Sequence, residues 1–361
     1  MRVAGSQVRL SMGGVAALAL GACFYLAWQS PRETAAAYLS AYLFFLAPAL
    51  GSLVLLMLHI LTGGRWGLEL RKPLLAALRV LPTLAVLLVP LLVCAVDLYP
   101  WARTGQVPRS WYLSIPFFLV RAVMCFGLWL WLARGIRVRV PDGAACDSGR
   151  QFTLFAATAL VGYLFTITVV ATDWVMSLMP RWHSDVFGLT LGTSQVLTAA
   201  ALAAMTLGNA GGASRPHRSL LRDLGRLLLT LVLLWAYLVF MDFLTAWIAD
   251  LPDETTWYLP RLLTNWRWLG TWIVLAGLIL PFGTLLSPRS GRSSLLLRAV
   301  GALLLLSQAG YCLWVTLPSV RPEGWALGWR DLLPWIGVGG VCWVRFDGLL
   351  ERVPHSVRAT G

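Results

Sequence analysis

Residues 172–188 of the chain read TDWVMSLMPRWHSDVFG, and they join two apolar segments, Phe152–Leu178 and Val186–Leu207. The stretch places a carboxylate, Asp173, inside the end of the first apolar segment, before the chain turns at Pro180. Within a membrane helix an ionisable side chain costs about 2.5 kcal/mol or more, so Asp173 is a candidate functional residue. A position in the hydrated region at the helix end accounts for Asp173 equally well.

The composition is that of a membrane protein. Of the 361 residues, 58% are hydrophobic and 12% are charged, whereas a soluble domain carries about 25% charged residues. Apolar runs long enough to cross about 30 Å of hydrocarbon recur along the chain, with Trp and Tyr at their ends. The sequence therefore predicts an all-α, polytopic integral membrane protein.

The apolar runs predict ten transmembrane helices in a single integral membrane domain that covers residues 1–361. We expect the first run to be retained, because it exceeds the roughly 7–15 apolar residues of a cleaved signal peptide. A basic stretch, residues 134–150, separates helices one to four (1–133) from helices five to ten (151–361). The predicted helices are Ser11–Gln29, Ala36–Leu61, Leu74–Tyr99, Trp111–Ala133, Phe152–Leu178, Val186–Leu207, Leu220–Ile248, Trp266–Leu286, Leu295–Thr316 and Trp329–Leu349.

Positive charge is distributed unevenly between the two sides of the predicted bundle. Of the 29 Lys and Arg residues, 20 lie in the N-terminal segment, the even-numbered connections and the C-terminal segment, and eight lie in the odd-numbered connections. Because Lys and Arg are enriched in cytoplasmic connections, both termini are predicted to be cytoplasmic. Topology thereby explains the net charge of +13, and we do not expect nucleic-acid binding.

Three acids lie near the outer ends of predicted helices, and one arginine lies deep within helix four. Asp97, Asp173 and Asp242 lie within about two turns of the outer ends of helices three, five and seven. Arg121 lies about ten residues into helix four, near the middle of the membrane, and is expected to pair with one of these acids. At least one carboxylate is then expected to be unpaired, hydrated or protonated. A structural ion pair beside hydrated acids and a proton path both fit this pattern.

The outer connections carry further candidates for a proton path. His183 and Asp185 lie between helices five and six, and imidazole is the side chain best suited to pass protons near neutral pH. Asp250 follows the C-terminus of helix seven, where the macrodipole disfavours an anion, so helix stability does not account for it. Asp253 and Glu254 fit either the same path or the first turn of a short surface helix.

The sequence contains no ligand set for a redox centre. Its six cysteines are scattered without a CxxC pair, and we interpret them as small buried apolar residues. Two of the four histidines, His59 and His183, lie near the membrane but on opposite sides, so they do not bracket a haem. No nucleotide-binding or nucleophile motif occurs. We expect neither a metal nor a covalently bound cofactor.

A second stretch, residues 236–261, reads AYLVFMDFLTAWIADLPDETTWYLPR. Its frame AYxxFxxFLxxWxxxLPxExxWYLxR resembles the ActF-type, quinone-binding membrane subunit of bacterial alternative complex III, a quinol:cytochrome c oxidoreductase. The opening stretch is similar to the DWxMSLxPxW…FG hairpin of the same family. The resemblance covers helices five to seven and their outer loops. The chain departs from the family where Asp242 replaces the usual Gln, Asp250 the usual Asn, and His183 an aromatic residue.

The resemblance implies an NrfD-like fold of about ten helices in two bundles, in a bacterial inner membrane. It implies a non-haem subunit that supports quinol oxidation or proton transfer at the outer face, with quinone or menaquinone as ligand. The implied partners are a multihaem cytochrome c, an iron–sulfur protein and an NrfD-like sister subunit. Quinol oxidation in this family releases protons on the outer side, where the acids of this chain are expected to lie.

Two other classes fit parts of the sequence. Prolines within the helices and a mid-membrane Arg121 would suit a secondary transporter for an anion. Matched broken helices in two related halves would support that class, and the sequence contains no internal repeat. A membrane scaffold subunit is the third class, in which the buried charges would serve only as structural pairs.

Overall fold

The computed structural model describes residues 2–103, 111–139, 149–207, 218–288, 293–324 and 328–352. Across these ranges the chain consists of helices, turns and short connections, without a strand. Nine helical segments within them are long and apolar enough to cross a membrane. The predicted all-α, multi-pass membrane fold is confirmed.

The helices follow the apolar segments because a backbone in lipid must satisfy its own N–H and C=O groups. Predicted spans three and eight each consist of several shorter helices. A short amphipathic helix, α11, follows span seven. In chain order the helices are α1 (Arg2–Gln29), α2 (Pro31–Thr62), α3 (Arg65–Leu78), α4 (Leu81–Leu87), α5 (Val89–Val93), α6 (Ala95–Leu98), α7 (Ile115–Arg139), α8 (Arg150–Val170), α9 (Phe187–Met205), α10 (Arg218–Ala249), α11 (Pro252–Leu263), α12 (Trp266–Val274), α13 (Leu280–Leu286), α14 (Ser294–Thr316) and α15 (Trp329–Arg352).

The third span, α3 to α6, is interrupted at its prolines, because proline lacks the amide N–H of a regular helix. Two tyrosines one turn apart on α2 bind this irregular backbone. The hydroxyl groups of Tyr38 and Tyr42 donate hydrogen bonds of 2.8 Å to the carbonyl oxygens of Leu87 and Leu84. Neighbouring side chains of this kind allow a broken helix to remain in lipid.

The last helix, α15, runs antiparallel to α1. Arg9, near the start of α1, forms ion pairs with Asp347 and Glu351, near the end of α15. Farther along, Gly337 lies against Leu20. The beginning of α1 and the end of α15 therefore lie at one end of the bundle, called here the proximal end, and the other is the distal end. Helix α15 is not among the nine segments of the described residues that are long and apolar enough to cross a membrane, so the predicted tenth span stays a prediction.

The two most deeply buried spans, α2 and α9, pack against each other at the centre. A Cβ atom at Gly51 would lie 2.0 Å from the carbonyl oxygen of Gln195, so glycine is required where α2 approaches α9. Helix α2 also contacts α3, α7, α8, α14 and α15, and α9 also contacts α3, α8, α10 and α14. The fifth span, α8, packs against α2, α7 and α9, and so contacts helices on both sides of residues 134–150.

Span four differs from its predicted bounds. It begins at Ile115 rather than Trp111 and continues to Arg139, so part of the predicted basic loop is helical. Arg121 is consequently six residues from the helix start, about 9 Å along the axis at 1.5 Å per residue. Arg121 thus lies nearer the helix start than the predicted ten residues, because the helix begins four residues later than its apolar run, and its depth in the membrane stays a prediction. The rest of the loop, residues 140–148, lies outside the described residues.

An ion-pair network with a buried Asp331 and an exposed Glu33 joins three helix ends at the distal end. Arg321 contacts Asp331 at the start of α15 and Glu33 at the start of α2, each at 3.0 Å. Asp331 also accepts a hydrogen bond from the backbone N–H of Gly328. The carboxylates raise the pKa of Arg321 above its ordinary value, against the opposing effect of burial. The network was not predicted, because Glu33 is 288 residues from Arg321 in the sequence.

Candidate functional site at the distal end

Arg121 and Asp173 form a buried, two-point ion pair. Arg121 Nε lies 2.6 Å from Asp173 Oδ2, and Nη2 lies 2.9 Å from Oδ1. The third guanidinium nitrogen, Nη1, donates to the carbonyl oxygen of Tyr112 at 2.9 Å, and the Tyr112 ring lies 3.9 Å from the guanidinium carbon. Only 8% of Arg121 and 2% of Asp173 are exposed, so the pair is closed to solvent and to other ligands.

Asp173 lies where α8 changes its geometry. Residues Ala171–Val175 form a π-helical turn, and a 3₁₀ turn follows at Met176–Leu178. The Ser177 hydroxyl bonds the carbonyl oxygen of Asp173, and the Tyr99 hydroxyl donates to the carbonyl oxygen of Trp174 at 3.2 Å. The wider turn is thus stabilised by side chains, which is typical of π-bulges at specialised positions.

Asp242 is bound in a different manner. On α10, its Oδ2 accepts a 2.7 Å hydrogen bond from the Tyr258 hydroxyl, and its Oδ1 accepts one from the Ser184 hydroxyl. Ser184 Oγ in turn accepts the backbone N–H of Phe187 at 3.1 Å, at the start of α9. Within the described residues no cation forms an ion pair with Asp242, whose ligands are two neutral hydroxyl groups.

A second buried arginine lies on the same helix as Tyr258, three residues later. Arg261, on α11, is fully buried, and its guanidinium donates to the carbonyl oxygens of Trp257, Trp314 and Val315 at 2.6, 3.0 and 3.1 Å. It also donates to Ser319 Oγ at 3.0 Å. Two of these carbonyls belong to the last turn of α14, which lacks intrahelical partners and carries the negative end of the macrodipole. Burial lowers the pKa of Arg261, yet a guanidinium keeps its charge in proteins.

Aromatic stacking fixes α11 on the hairpin between spans five and six. The rings of Trp182 and Trp257 stack with centroids 3.8 Å apart and an interplanar angle of 7°. On the same Trp257 ring, the Arg261 guanidinium carbon lies 3.3 Å from the centroid. Such contacts between arginine and tryptophan are the most favourable cation–π pairs. Together with the Ser184–Asp242–Tyr258 cluster, this stack brings the two stretches that carry the family resemblance into one unit.

Tyr258 is held in its neutral form at this site. Burial raises its pKa, and the charge of Asp242 and the hydrogen bond to that acid raise it further. The Tyr258 hydroxyl therefore keeps its proton and donates a hydrogen bond to Asp242. Tyr311 on α14 is also buried and lies close enough to Asp242 and Arg261 to interact electrostatically with both.

An open cleft of about 320 Å³ lies at the surface beside the cluster. It is lined by Leu251 and Pro252 and by four charged or titratable residues, Arg181, His183, Asp253 and Glu254. His183 is exposed, and its Nδ1 lies 3.1 Å from the carbonyl oxygen of Arg181. Because His183 precedes Ser184 in the chain, the cleft begins one residue from a hydroxyl group that binds Asp242.

The remaining predicted acids lie apart from the buried cluster. Asp97 is about half exposed and is paired with Arg103 at 3.7 Å, not with Arg121. Asp185 is exposed. Asp250 is exposed and has a positive φ of 45°, at the point where α10 ends and the chain turns into α11. Asp and Asn adopt this left-handed conformation more readily than most residues, which explains an acid at a helix C-terminus.

Sequence reasoning missed Arg261, which it assigned to an outer loop. The available signal was the spacing of Trp257 and Arg261, four residues apart in a short amphipathic helix with the arginine in its last turn. Within the described residues no group of three or more His, Cys, Asp or Glu side chains is arranged to hold a metal ion. No protein-family model matches the chain, and the comparison with curated proteins finds no relative.

Proposed function

We propose that this chain is a non-haem membrane subunit of a quinol-oxidising respiratory complex, and that its distal end accepts and releases the protons of quinol. One observation supports this most directly. Asp242 is a partly buried carboxylate, bound only by hydroxyl groups, beside a cleft that opens at the surface. It adjoins both stretches that resemble the ActF-type subunit of alternative complex III.

The chemistry follows from the ligands of Asp242. Oxidation of a quinol releases two protons and two electrons. In the proposal the carboxylate accepts the two protons in turn, releasing the first before the second arrives, while Ser184 and Tyr258 hold it in place. The proton then leaves through the cleft lined by His183, Asp253 and Glu254. The electrons pass to an iron–sulfur protein and a multihaem cytochrome c, the expected partners beside an NrfD-like sister subunit, and quinone or menaquinone is the ligand.

A transporter for anions is a weaker proposal. Such a carrier would use Arg121 to bind its substrate, but all three guanidinium nitrogens already bond Asp173 or the Tyr112 carbonyl. Arg261 is equally engaged by carbonyl oxygens and one hydroxyl. Neither guanidinium has a pair of free N–H groups with which to bind an anion.

The direct test is Asp242→Asn in the purified complex. An amide retains the shape and one acceptor oxygen, its NH2 group donates to the other hydroxyl, and it does not accept a proton as a carboxylate does. We expect quinol-driven turnover to fall by about 100-fold, the lower end of the contribution of a general base. Glu323→Gln, at an exposed acid between α14 and α15, is the matched control and should leave turnover unchanged.

Assembly is measured in parallel, as the amount of cytochrome that co-purifies with each variant. Full turnover of Asp242→Asn in an intact complex would contradict the proton role of Asp242, and would identify it as a polar substitute for the Gln usual in the family. Failure of any cytochrome to co-purify with the wild-type chain would contradict the assignment to a respiratory complex.

The proposed topology has the distal end outside a bacterial inner membrane and both termini in the cytoplasm. Cysteine labelling tests it in a background in which the natural Cys146 is replaced by Ser. An impermeant maleimide added to intact cells should label a cysteine at Thr255, at the distal end, and not one at Ser214. The opposite pattern would place the Asp242 cluster on the cytoplasmic side.

A further inference from the structure

A second cavity lies at the proximal end of the bundle, between α2, α3 and α10. This groove has a volume of about 290 Å³. Its walls are mainly apolar, and it contains one acid. The lining residues are Leu55, Leu58, Thr62, Trp66, Asp223 and Leu227. Tryptophan at this depth is typical of the interface between hydrocarbon and headgroups.

The acid in this groove, Asp223, has no evident structural role. It makes no hydrogen bond or ion pair with any residue of the described chain, although the neighbouring Arg222 and Arg226 lie on the same helix. As the sixth residue of α10, it also lies beyond the first turn, where the macrodipole would stabilise an acid. It is partly buried and shares its helix face with Leu227, one turn later.

We propose that this groove binds a phospholipid with a primary ammonium headgroup, as in phosphatidylethanolamine. The apolar walls formed by Leu55, Leu58 and Leu227 accept the upper part of an acyl chain. The Asp223 carboxylate accepts charge-assisted hydrogen bonds from the ammonium group, which carries three N–H donors. An anionic lipid is disfavoured by the same carboxylate, whereas grooves that bind anionic headgroups are lined by basic side chains.

Lipids that differ only in the headgroup test this proposal. The full chain is purified in mild detergent, stripped of lipid, and given phosphatidylethanolamine, phosphatidylcholine or phosphatidylglycerol with identical acyl chains. Retention of each lipid is measured by native mass spectrometry. We expect phosphatidylethanolamine to be retained about tenfold more than phosphatidylcholine, because the quaternary ammonium of the latter has no N–H donor.

Three variants separate the role of Asp223 from general effects. Asp223→Asn should abolish the preference for the primary ammonium, and Asp223→Glu, which keeps the carboxylate, should largely retain it. Asp185→Asn, at an exposed acid on the distal side, should behave as the wild type. Equal retention of the two zwitterionic lipids by the wild type, preferred retention of phosphatidylglycerol, or an unchanged preference in Asp223→Asn would each overturn the proposal.

Discussion

Two buried arginines at the distal end are stabilised in opposite ways. Arg121 forms a two-point ion pair with Asp173, so that cation and anion neutralise each other directly. Arg261 is bound by carbonyl oxygens and by the face of Trp257, and the acid in its vicinity, Asp242, is bound by hydroxyl groups. The distal end thus contains one buried ion pair, Arg121–Asp173. It also contains two charged groups, Arg261 and Asp242, that are stabilised by neutral groups.

The difference determines which acid is able to change its charge. Protonation of Asp173 would leave Arg121 as an uncompensated charge in a site that is almost fully buried, and removing one partner of such a pair costs about 3–5 kcal/mol. Protonation of Asp242 leaves no cation without its partner, because its ligands are neutral. Asp173 is therefore expected to be structural, and Asp242 to be the acid that exchanges protons.

The largest effect is expected for Arg121→Met. This variant leaves the buried Asp173 carboxylate without its cation, and we expect a loss of about 3–5 kcal/mol in the free energy of unfolding. Titration of the purified chain with SDS in mixed micelles measures the change. The double variant Arg121→Met, Asp173→Leu removes both charges and should recover most of the loss.

Arg103→Met provides the matched control, because Arg103 pairs with the half-exposed Asp97. Exposed ion pairs contribute about 0–1 kcal/mol, so this variant should unfold almost as the wild type does. Equal destabilisation by Arg103→Met and Arg121→Met would show that the buried Arg121–Asp173 pair contributes no more to stability than an exposed ion pair.

The sequence predicted the membrane-helical architecture and a buried pair between Arg121 and an acid. Periodicity and apolar length identify membrane helices without reference to tertiary contacts, and a single arginine among three acids indicates a buried pair. The choice of Asp173 over Asp97 and Asp242 depends on the rotation and tilt of three helices, which no local pattern specifies. The start of α7 was misplaced for a related reason, since the residues from Trp111 to Ser114 are apolar enough to be helical but instead form bends.

The burial of Arg261 and the hydroxyl ligands of Asp242 were not predictable from the sequence in the same way. Arg261 was expected to be an outer-loop residue because arginines near a span end usually contact water. Its burial depends on the carbonyl oxygens of Trp314 and Val315 in the last turn of α14. These residues lie more than fifty positions after Arg261 in the sequence. The hydroxyl ligands of Asp242 come from two separate connections, and sequence alone did not pair them with this acid.

Arg261→Lys is expected to have an intermediate effect. Lysine keeps the charge but lacks the planar fork, so it cannot reach the carbonyls of Trp314 and Val315 together while it stacks on Trp257. We expect a loss of about 1.5–3 kcal/mol, the contribution of one hydrogen bond to a charged group, in the same SDS titration. Arg267→Lys, at an exposed arginine near the start of α12, is the control and should unfold as the wild type does. A neutral result for Arg261→Lys would mean that charge alone, without the fork, is sufficient at this position.

The smallest effect is expected at Asp250. This acid lies near the same site but belongs neither to the buried ion pair nor to the hydroxyl-bound cluster of Asp242. Its positive φ of 45° indicates a backbone role at the end of α10, and its exposure leaves its charge in water. Asp250→Asn should therefore leave unfolding unchanged within about 0.5 kcal/mol, because Asn adopts the left-handed conformation as readily. Asp250→Ala should cost about 1 kcal/mol, because its Cβ atom is strained there without a short polar side chain to compensate. If instead Asp250→Asn and Asp250→Ala lowered quinol-driven turnover alike while unfolding stayed unchanged, the carboxylate itself would be required, and Asp250 would belong with Asp242 in the proton path.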